Sequence, residues 1–217
     1  MSLTETPVCN FGEKIREFKL ISTEDKLISH KDIKGQNGTL VMFICNHCPY
    51  VKAIINELVD VTNKLSNFGI NSVAIMSNDT NNYPEDSFEN MKKFAKINGF
   101  KFPYLYDETQ EIAKNFGAVC TPDFFGYNKN NELQYRGRIR EMKNLKPTLD
   151  GKNDLLNAME LIAKTLNGPK EQYPSMGCNI KWKKYRYKNG LIHFMFKNTL
   201  PLEIISPREP FRIDGGK

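Results

Sequence analysis

The stretch Thr39-Leu40-Val41-Met42-Phe43-Ile44-Cys45-Asn46-His47-Cys48-Pro49-Tyr50-Val51 decides how this chain is read. Its first six residues are apolar or β-branched, the composition of a strand buried on both faces. After Pro49, Val51, Ile54, Ile55, Leu58, Thr62 and Leu65 recur by threes and fours, the stripe of a helix with one apolar face. Cys45 and Cys48 therefore stand where a strand turns into a helix. Partial positive charge at a helix N-terminus favours a thiolate, so the position suits redox chemistry.

Upstream, Phe18–Ile21 and Lys26–Ile28 flank the polar Ser22-Thr23-Glu24-Asp25 and predict a hairpin, and Gly35–Gly38 is a turn. Downstream, Gly69 marks the helix stop and Val73–Met76 a second buried strand, followed by the polar loop Ser77–Asn82. Asp86 or Ser87 is placed to cap a helix whose face is Phe88, Met91, Phe94 and Ala95. Phe102–Tyr106 reads as a short strand and Thr109–Phe116 as a short helix closed by Gly117. Asp123–Tyr127 and Glu132–Arg136 form a hairpin around Asn128–Asn131. A last helix begins near Asp154 with Leu155, Leu156, Met159, Ile162 and Leu166 on its face, and Gly168-Pro169 ends it. Strands alternating with helices imply a parallel core, and the hairpin adds antiparallel strands at one side. The expected class is α/β, a mixed central sheet flanked by helices.

A chain of 217 residues is long enough for one domain with a full core. The net charge is +6, with Lys181, Lys183, Lys184, Arg186 and Lys188 the densest basic cluster. Without a recognition helix or stacking motif, this cluster reads as a solvated face, and no nucleic acid is expected as partner. No apolar stretch reaches the roughly 18 residues of a membrane span, so no membrane partner is expected. The first residues lack the basic-then-apolar pattern of a secretory signal. The expected compartment is the cytoplasm, where thiols stay reduced. Five cysteines, Cys9, Cys45, Cys48, Cys120 and Cys178, include one close pair and do not make a structural disulfide framework.

Two cysteines three apart at a helix start close a small disulfide ring. Helix N-termini and neighbouring cations bring a thiol pKa from ~8.5 to roughly 3.5–7.5. Cys45 is expected to be the more exposed sulfur, with His47 stabilising its thiolate. DsbA-like oxidases also place a histidine just before the second cysteine, and the comparison predicts a pair more oxidising than thioredoxin at roughly −270 mV. A zinc ribbon needs a second close pair, and the other cysteines are isolated. Haem attachment needs a histidine after the second cysteine, where Pro49 stands. No metal and no cofactor is expected.

The second informative segment is Cys120-Thr121-Pro122-Asp123, before a strand. Thioredoxin folds place a cis-proline opposite the CxxC, and Pro122 is expected to fill that place. The backbone of Thr121 would then pair with a substrate strand. Cys120 would lie near the pair as an auxiliary resolving thiol or a small buried hydrophobe.

Phe43-Ile44-Cys45-Asn46-His47-Cys48-Pro49-Tyr50-Val51-Lys52 resembles the signature of the peroxiredoxin-like subgroup (redoxin, AhpC/TSA family) of thioredoxin-fold proteins. Pro7–Phe11, Ala74–Asp79, Tyr83–Phe88, Gly117–Phe125 and Pro174–Cys178 are similar to that subgroup as well. The resemblance implies a thioredoxin-like fold over residues 1–183 with an N-terminal β extension. It implies a thiol-disulfide oxidoreductase or peroxiredoxin-like antioxidant acting through Cys45 and Cys48, with His47 and Pro122 completing the site. The implied partners are a protein or small-molecule disulfide, or a peroxide, and a thiol reductant; relatives often form homodimers.

The chain departs from true peroxiredoxins, whose signature is Pro-x-x-x-Thr-x-x-Cys with a distant Arg. With Cys48 in the peroxidatic position, Cys45 replaces the Thr and Val41 the Pro, and no Arg adjoins Val119-Cys120-Thr121. This weakens a thiol-peroxidase reading, in which Cys48 attacks and Cys45 resolves. It favours disulfide exchange, in which Cys45 attacks and Cys48 resolves. A Sco-type copper-binding module also places two cysteines at such a turn, but it needs a distant histidine, for which His30 and His193 are the candidates. Residues 184–217 read as an extension: a hairpin around Asn189-Gly190, then an irregular tail with Pro201, Pro207 and Pro210.

Overall fold

A computed structural model describes residues 3–148 and 151–184. The chain runs β1 (Leu3–Glu5), β2 (Lys19–Ser22), β3 (Leu27–Ser29), β4 (Gly38–Phe43), α1 (Pro49–Asn67) and β5 (Ile70–Met76). A single 3-10 turn at Pro84–Asp86 precedes α2 (Phe88–Ile97), β6 (Tyr104–Tyr106), α3 (Glu111–Phe116), β7 (Cys120–Thr121), β8 (Asp123–Asn128) and β9 (Leu133–Gly137). The small β10 (Met142–Lys143) and β11 (Lys146–Pro147), then α4 (Asp154–Thr165) and β12 (Met176–Asn179), complete it. The hairpin and tail read after residue 184 lie outside the described residues.

The main sheet has seven strands in the order β3-β2-β6-β5-β4-β8-β9. β4, β5 and β6 are parallel, while β8, β9 and the β2–β3 hairpin are antiparallel. This is the mixed sheet that the order of elements implied, with the N-terminal hairpin as the β extension. β4 lies inside the sheet and is buried along its whole length. Leu40 and Met42 face the core shared with α1 and α4, and Val41 and Phe43 face the core that holds Ala113 and Phe116 of α3. Burying a side chain of this size contributes roughly 1.5–3 kcal/mol, so this strand anchors both layers. No helix among the described residues is long and apolar enough to cross a membrane.

Three boundaries differ from the sequence reading. Asp86 does not cap α2; Ser87 holds the cap position without a side-chain bond, and Asp86 turns toward the cysteine loop. The short helix starts at Glu111, because Gln110 adopts φ 64° and spends its side chain on Ser77 O, Lys181 O and the Lys183 N–H. Leu166 ends α4 in a left-handed conformation rather than extending its face.

β12 lies apart from the main sheet. It pairs antiparallel with β1 on one side and β7 on the other. The chain crosses back over the cysteine loop here, and Gly177 makes the close approach. A Cβ at Gly177 would stand 2.0 Å from Thr121 O and 3.1 Å from Pro122 Cδ.

Candidate active site

β4 ends at Phe43, and the chain turns through Ile44–His47 before α1 begins. Cys48 is the N-cap of α1 and Pro49 follows in its first turn. That geometry puts the Cys48 sulfur at the positive end of a 19-residue helix. The Thr121–Pro122 peptide bond is cis, as the sequence reading expects. Its loop faces both sulfurs: Cys48 Sγ donates to Thr121 O at 3.1 Å, and Cys45 Sγ lies 3.3 Å from Thr121 Oγ1. Cys45, Cys48, Pro122 and Thr121 are thus brought together, with His47 in the same turn.

The expectation that Cys45 is the more exposed thiol fails. Cys45 is 1% exposed and Cys48 is fully buried. The expected stabilisation of a Cys45 thiolate by His47 fails too, because His47 is committed elsewhere. Its Nδ1 lies 2.6 Å from Asp86 Oδ2 and 4.0 Å from Cys45 Sγ. The bond to Asp86 raises the His47 pKa above its ordinary 6.5. The ring stacks on Tyr83 at a centroid distance of 5.5 Å, and its Nε2 is buried without a partner.

Asp86 is the residue that sequence reasoning missed. It is fully buried, and each oxygen accepts two hydrogen bonds. Oδ1 takes the backbone N–H groups of Asn46 at 2.8 Å and His47 at 3.3 Å. Oδ2 takes His47 Nδ1 and, at 2.8 Å, Asn78 Nδ2. A single carboxylate thus fixes the loop between the two cysteines. Asn46 is further held by Glu85 O and the Tyr104 hydroxyl. The signal was present in the sequence: Asn78 and Asp86 both lie in segments that carry the family resemblance.

The two thiols differ in their electrostatics. Cys48 is pulled down to about 5, first by the Cys45 thiol that hydrogen-bonds it, then, against burial, by backbone N–H groups of Val51 and Cys178. Cys45 is pushed well above 9.0 by giving its proton to that bond, by burial and by the Asp86 charge. Cys48, at the helix terminus, is the more readily ionised of the two, and on ionising it gives up its bond to Thr121 O.

Cys120, read as an auxiliary thiol, is fully buried and directs its Sγ toward Pro122 O at 3.6 Å. Burial pushes its pKa far up. Cys178 lies buried in the same cluster as Cys45 and Cys48, where burial and the neighbouring Cys48 push its pKa up to about 11. The backbone edge of Thr121 is already paired with β12, Cys178 standing opposite Thr121 and Asn179 opposite Cys120. In this conformation an added substrate strand has no place there.

Each arginine among the described residues is engaged away from the sulfurs. Arg136 pairs with buried Asp123 at 2.9 Å and lies over the Phe125 ring in the opposite core. Arg138 pairs with Asp154, Arg140 with Glu57, and Arg16 with Glu13. His30 packs against Phe18 near β3, in the other core. Ligand atoms of Cys45, His47 and Asp86 all lie within 4.8 Å of one another, a spacing that a metal ion would accept.

A CxxC turn at a helix start, facing a cis-proline across a mixed sheet, defines a thioredoxin-like redox scaffold. The model of the AhpC/TSA family matches residues 11–142, and the chain belongs to that family. Thiol-disulfide oxidoreductase ResA of Bacillus thuringiensis is 27% identical over 143 residues, covering 64% of this chain and 73% of that protein. The crystal structure of an uncharacterized conserved protein from Geobacillus kaustophilus is 39% identical, with TM-score 0.81 over 86% of this chain and 99% of the other. The thioredoxin domain of a Bacteroides vulgatus thiol-disulfide oxidoreductase shares the fold at TM-score 0.50 and 16% identity, over 58% of this chain and 86% of that domain.

Proposed function

We propose that the protein is a thiol-disulfide oxidoreductase in which the Cys48 thiolate attacks and Cys45 resolves. The observation that carries this reading is the position of Cys48 as N-cap of α1, where the helix terminus and the Cys45 thiol hold its charge. A substrate disulfide RSSR′ accepts the Cys48 thiolate, forming Cys48–S–S–R and releasing R′S⁻. Cys45 then attacks Cys48 Sγ, closing the Cys45–Cys48 disulfide, and its proton leaves with RSH. Two electrons pass from the dithiol to the substrate, and a thiol reductant restores the pair. The roles are the reverse of those expected for exchange from sequence. A low Cys48 pKa stabilises the reduced form, so the pair's potential lies above thioredoxin's roughly −270 mV. A cytoplasmic setting suits a pair kept ready in this form.

The same thiolate would attack a peroxide, giving a sulfenic acid at Cys48 that Cys45 closes. The reading places disulfide exchange first, because no described arginine reaches the sulfurs to polarise a peroxide. The cluster of Cys45, His47 and Asp86 supports a second reading, a metal-binding module. That use requires His47 to give up its bond to Asp86.

The test is thiolate absorbance followed over pH on the reduced protein. The expected thiolate is present at neutral pH and disappears with a midpoint of about 5. It is absent in Cys48→Ser and persists, with a higher midpoint, in Cys45→Ser. A first midpoint near 9.0, or a thiolate surviving in Cys48→Ser, rules the assignment out. Faster oxidation by hydrogen peroxide than by oxidised glutathione replaces exchange with peroxidase chemistry. Stoichiometric tight binding of copper(I) replaces both with the metal reading.

A further inference from the structure

Cys48 shares its buried cluster with two other thiols, not one. Cys45 comes from the loop before the helix and Cys178 from β12. Register places the second. Cys178 is opposite Thr121, and Thr121 O is the group that accepts from Cys48 Sγ at 3.1 Å. Cys48 and Cys178 therefore face the same Thr121 peptide from different elements.

β12 is fixed in place on both sides of Cys178. Before it, Ser175 Oγ donates to Pro122 O at 2.7 Å, and Ser175 exchanges hydrogen bonds with Thr6 through its backbone. After it, the Ile180 N–H bonds Val119 O at 3.1 Å, and the Lys181 N–H bonds Asn78 Oδ1 at 2.8 Å. Asp79 N–H and Gln110 Nε2 both donate to Lys181 O. Asn78 also holds Asp86, so the strand carrying Cys178 and the loop carrying the dithiol share one hydrogen-bond network. Gly177 lets β12 lie close on the Thr121–Pro122 loop beside Cys178, since any side chain there would strike Thr121.

We propose that Cys178 is a third catalytic thiol, resolving a mixed disulfide on Cys48 by becoming bonded to Cys48 itself. The inference rests on the reading that Cys48 attacks first. After Cys48–S–S–R has formed, the Cys178 sulfur attacks Cys48 Sγ. The Cys48–Cys178 bond forms as the bond to R breaks, and the Cys178 proton leaves with RSH. Electron count is the same as for resolution by Cys45: two thiols are oxidised and one substrate disulfide is reduced. Cys45 can then attack Cys48 in turn, forming Cys45–Cys48 and returning the proton to Cys178 with no net oxidation. Burial and the Cys48 charge push Cys178 up to about 11, so it carries the proton that the departing thiolate takes. Cys120, one residue away in β7, has its sulfur turned to Pro122 O and takes no part.

The experiment uses the full chain, reduced and then treated with oxidised glutathione. Samples are quenched in acid and mapped by non-reducing peptide mass spectrometry. In Cys45→Ser, the expected product is a disulfide joining residues 35–52 to residues 171–181, with loss of the Cys48 glutathione adduct. In Cys45→Ser/Cys178→Ser, the adduct on Cys48 persists. A stable Cys48 adduct in Cys45→Ser overturns the third-thiol role and leaves Cys48 as the attacking sulfur. No adduct on Cys48 in the double variant, with no linked peptides in Cys45→Ser, overturns both readings. Should Cys45→Ser fail to fold, Cys45→Ala is read for the same linked peptides; their absence overturns the proposal.

Discussion

Asp86→Asn tests the organisation of this site most directly. An asparagine keeps one acceptor and turns the other into a donor. On the Oδ1 side two backbone N–H groups, of Asn46 and His47, cannot move away. The amide nitrogen therefore turns to the Oδ2 side, where it meets His47 Nδ1 and Asn78 Nδ2. His47 can accept from it only as a neutral ring with its proton on Nε2. Asn78 cannot flip without losing the Lys181 N–H that its Oδ1 accepts at 2.8 Å. One buried donor is left unpaired, costing about 1–3 kcal/mol, and one charge-assisted bond is lost, worth about 1.5–3 kcal/mol. The sum, about 2.5–6 kcal/mol, is a large part of the roughly 5–15 kcal/mol that holds a domain folded. The His47 pKa, raised by Asp86 in the native chain, falls below 6.5 in the variant. The sign of the pH effect follows. A histidine whose folded pKa is raised contributes stability that is fully present below 6.5 and lost as pH rises through the folded value. The variant's deficit is therefore larger below pH 6.5 than well above it. Urea unfolding of the reduced proteins at both pH values, with NMR titration of the ring, measures both. A change under about 0.5 kcal/mol, the range of an ordinary surface substitution, with His47 still titrating above 6.5, would refute the reasoning.

Gly177→Ala is expected to separate β12 from β7, since its Cβ would meet Thr121 O at 2.0 Å. A destabilisation of about 1–3 kcal/mol and faster alkylation of Cys48 are the readouts; unchanged values for both count against the close approach. Arg136→Met removes the partner of buried Asp123, whose pKa burial already pushes up to about 6. Without the guanidinium that carboxyl stays protonated to higher pH, so the loss of stability is small below pH 6 and grows above it. Because Arg136 faces the opposite core, the Cys48 thiolate titration is unchanged in this variant; a shifted titration would place Arg136 in the redox site.

The fold was legible because its signals are local. Continuous burial of Leu40–Phe43, the three-and-four spacing of α1 and the polar turn at Asn128–Asn131 each act within a few residues. So did the hairpin β2–β3 and the mixed character of the sheet. Two of the misread boundaries, at the starts of α2 and α3, share a cause. Gln110 and Asp86 look like helix-start residues in a short window, yet their side chains are claimed by partners far along the chain.

The site was legible as a set of residues but not as an assignment of charge, and the reason is physical. The sequence places both Cys45 and Cys48 at the helix start, but which of them is the N-cap, and which groups fold over each, is seen only in the structure. The helix terminus is joined in that choice by groups brought in from elsewhere: Asp86, 39 residues after His47, and Cys178, on a strand near the end of the described chain. Asp86 takes His47 away from Cys45 and adds a negative charge beside it, while the helix terminus and the Cys178 N–H favour charge on Cys48. Burial sharpens the contrast, because in a dry site a few fixed donors decide the ionisation that water would otherwise level. The cysteine motif identifies the chemistry; the segments that fold over it determine which sulfur begins it.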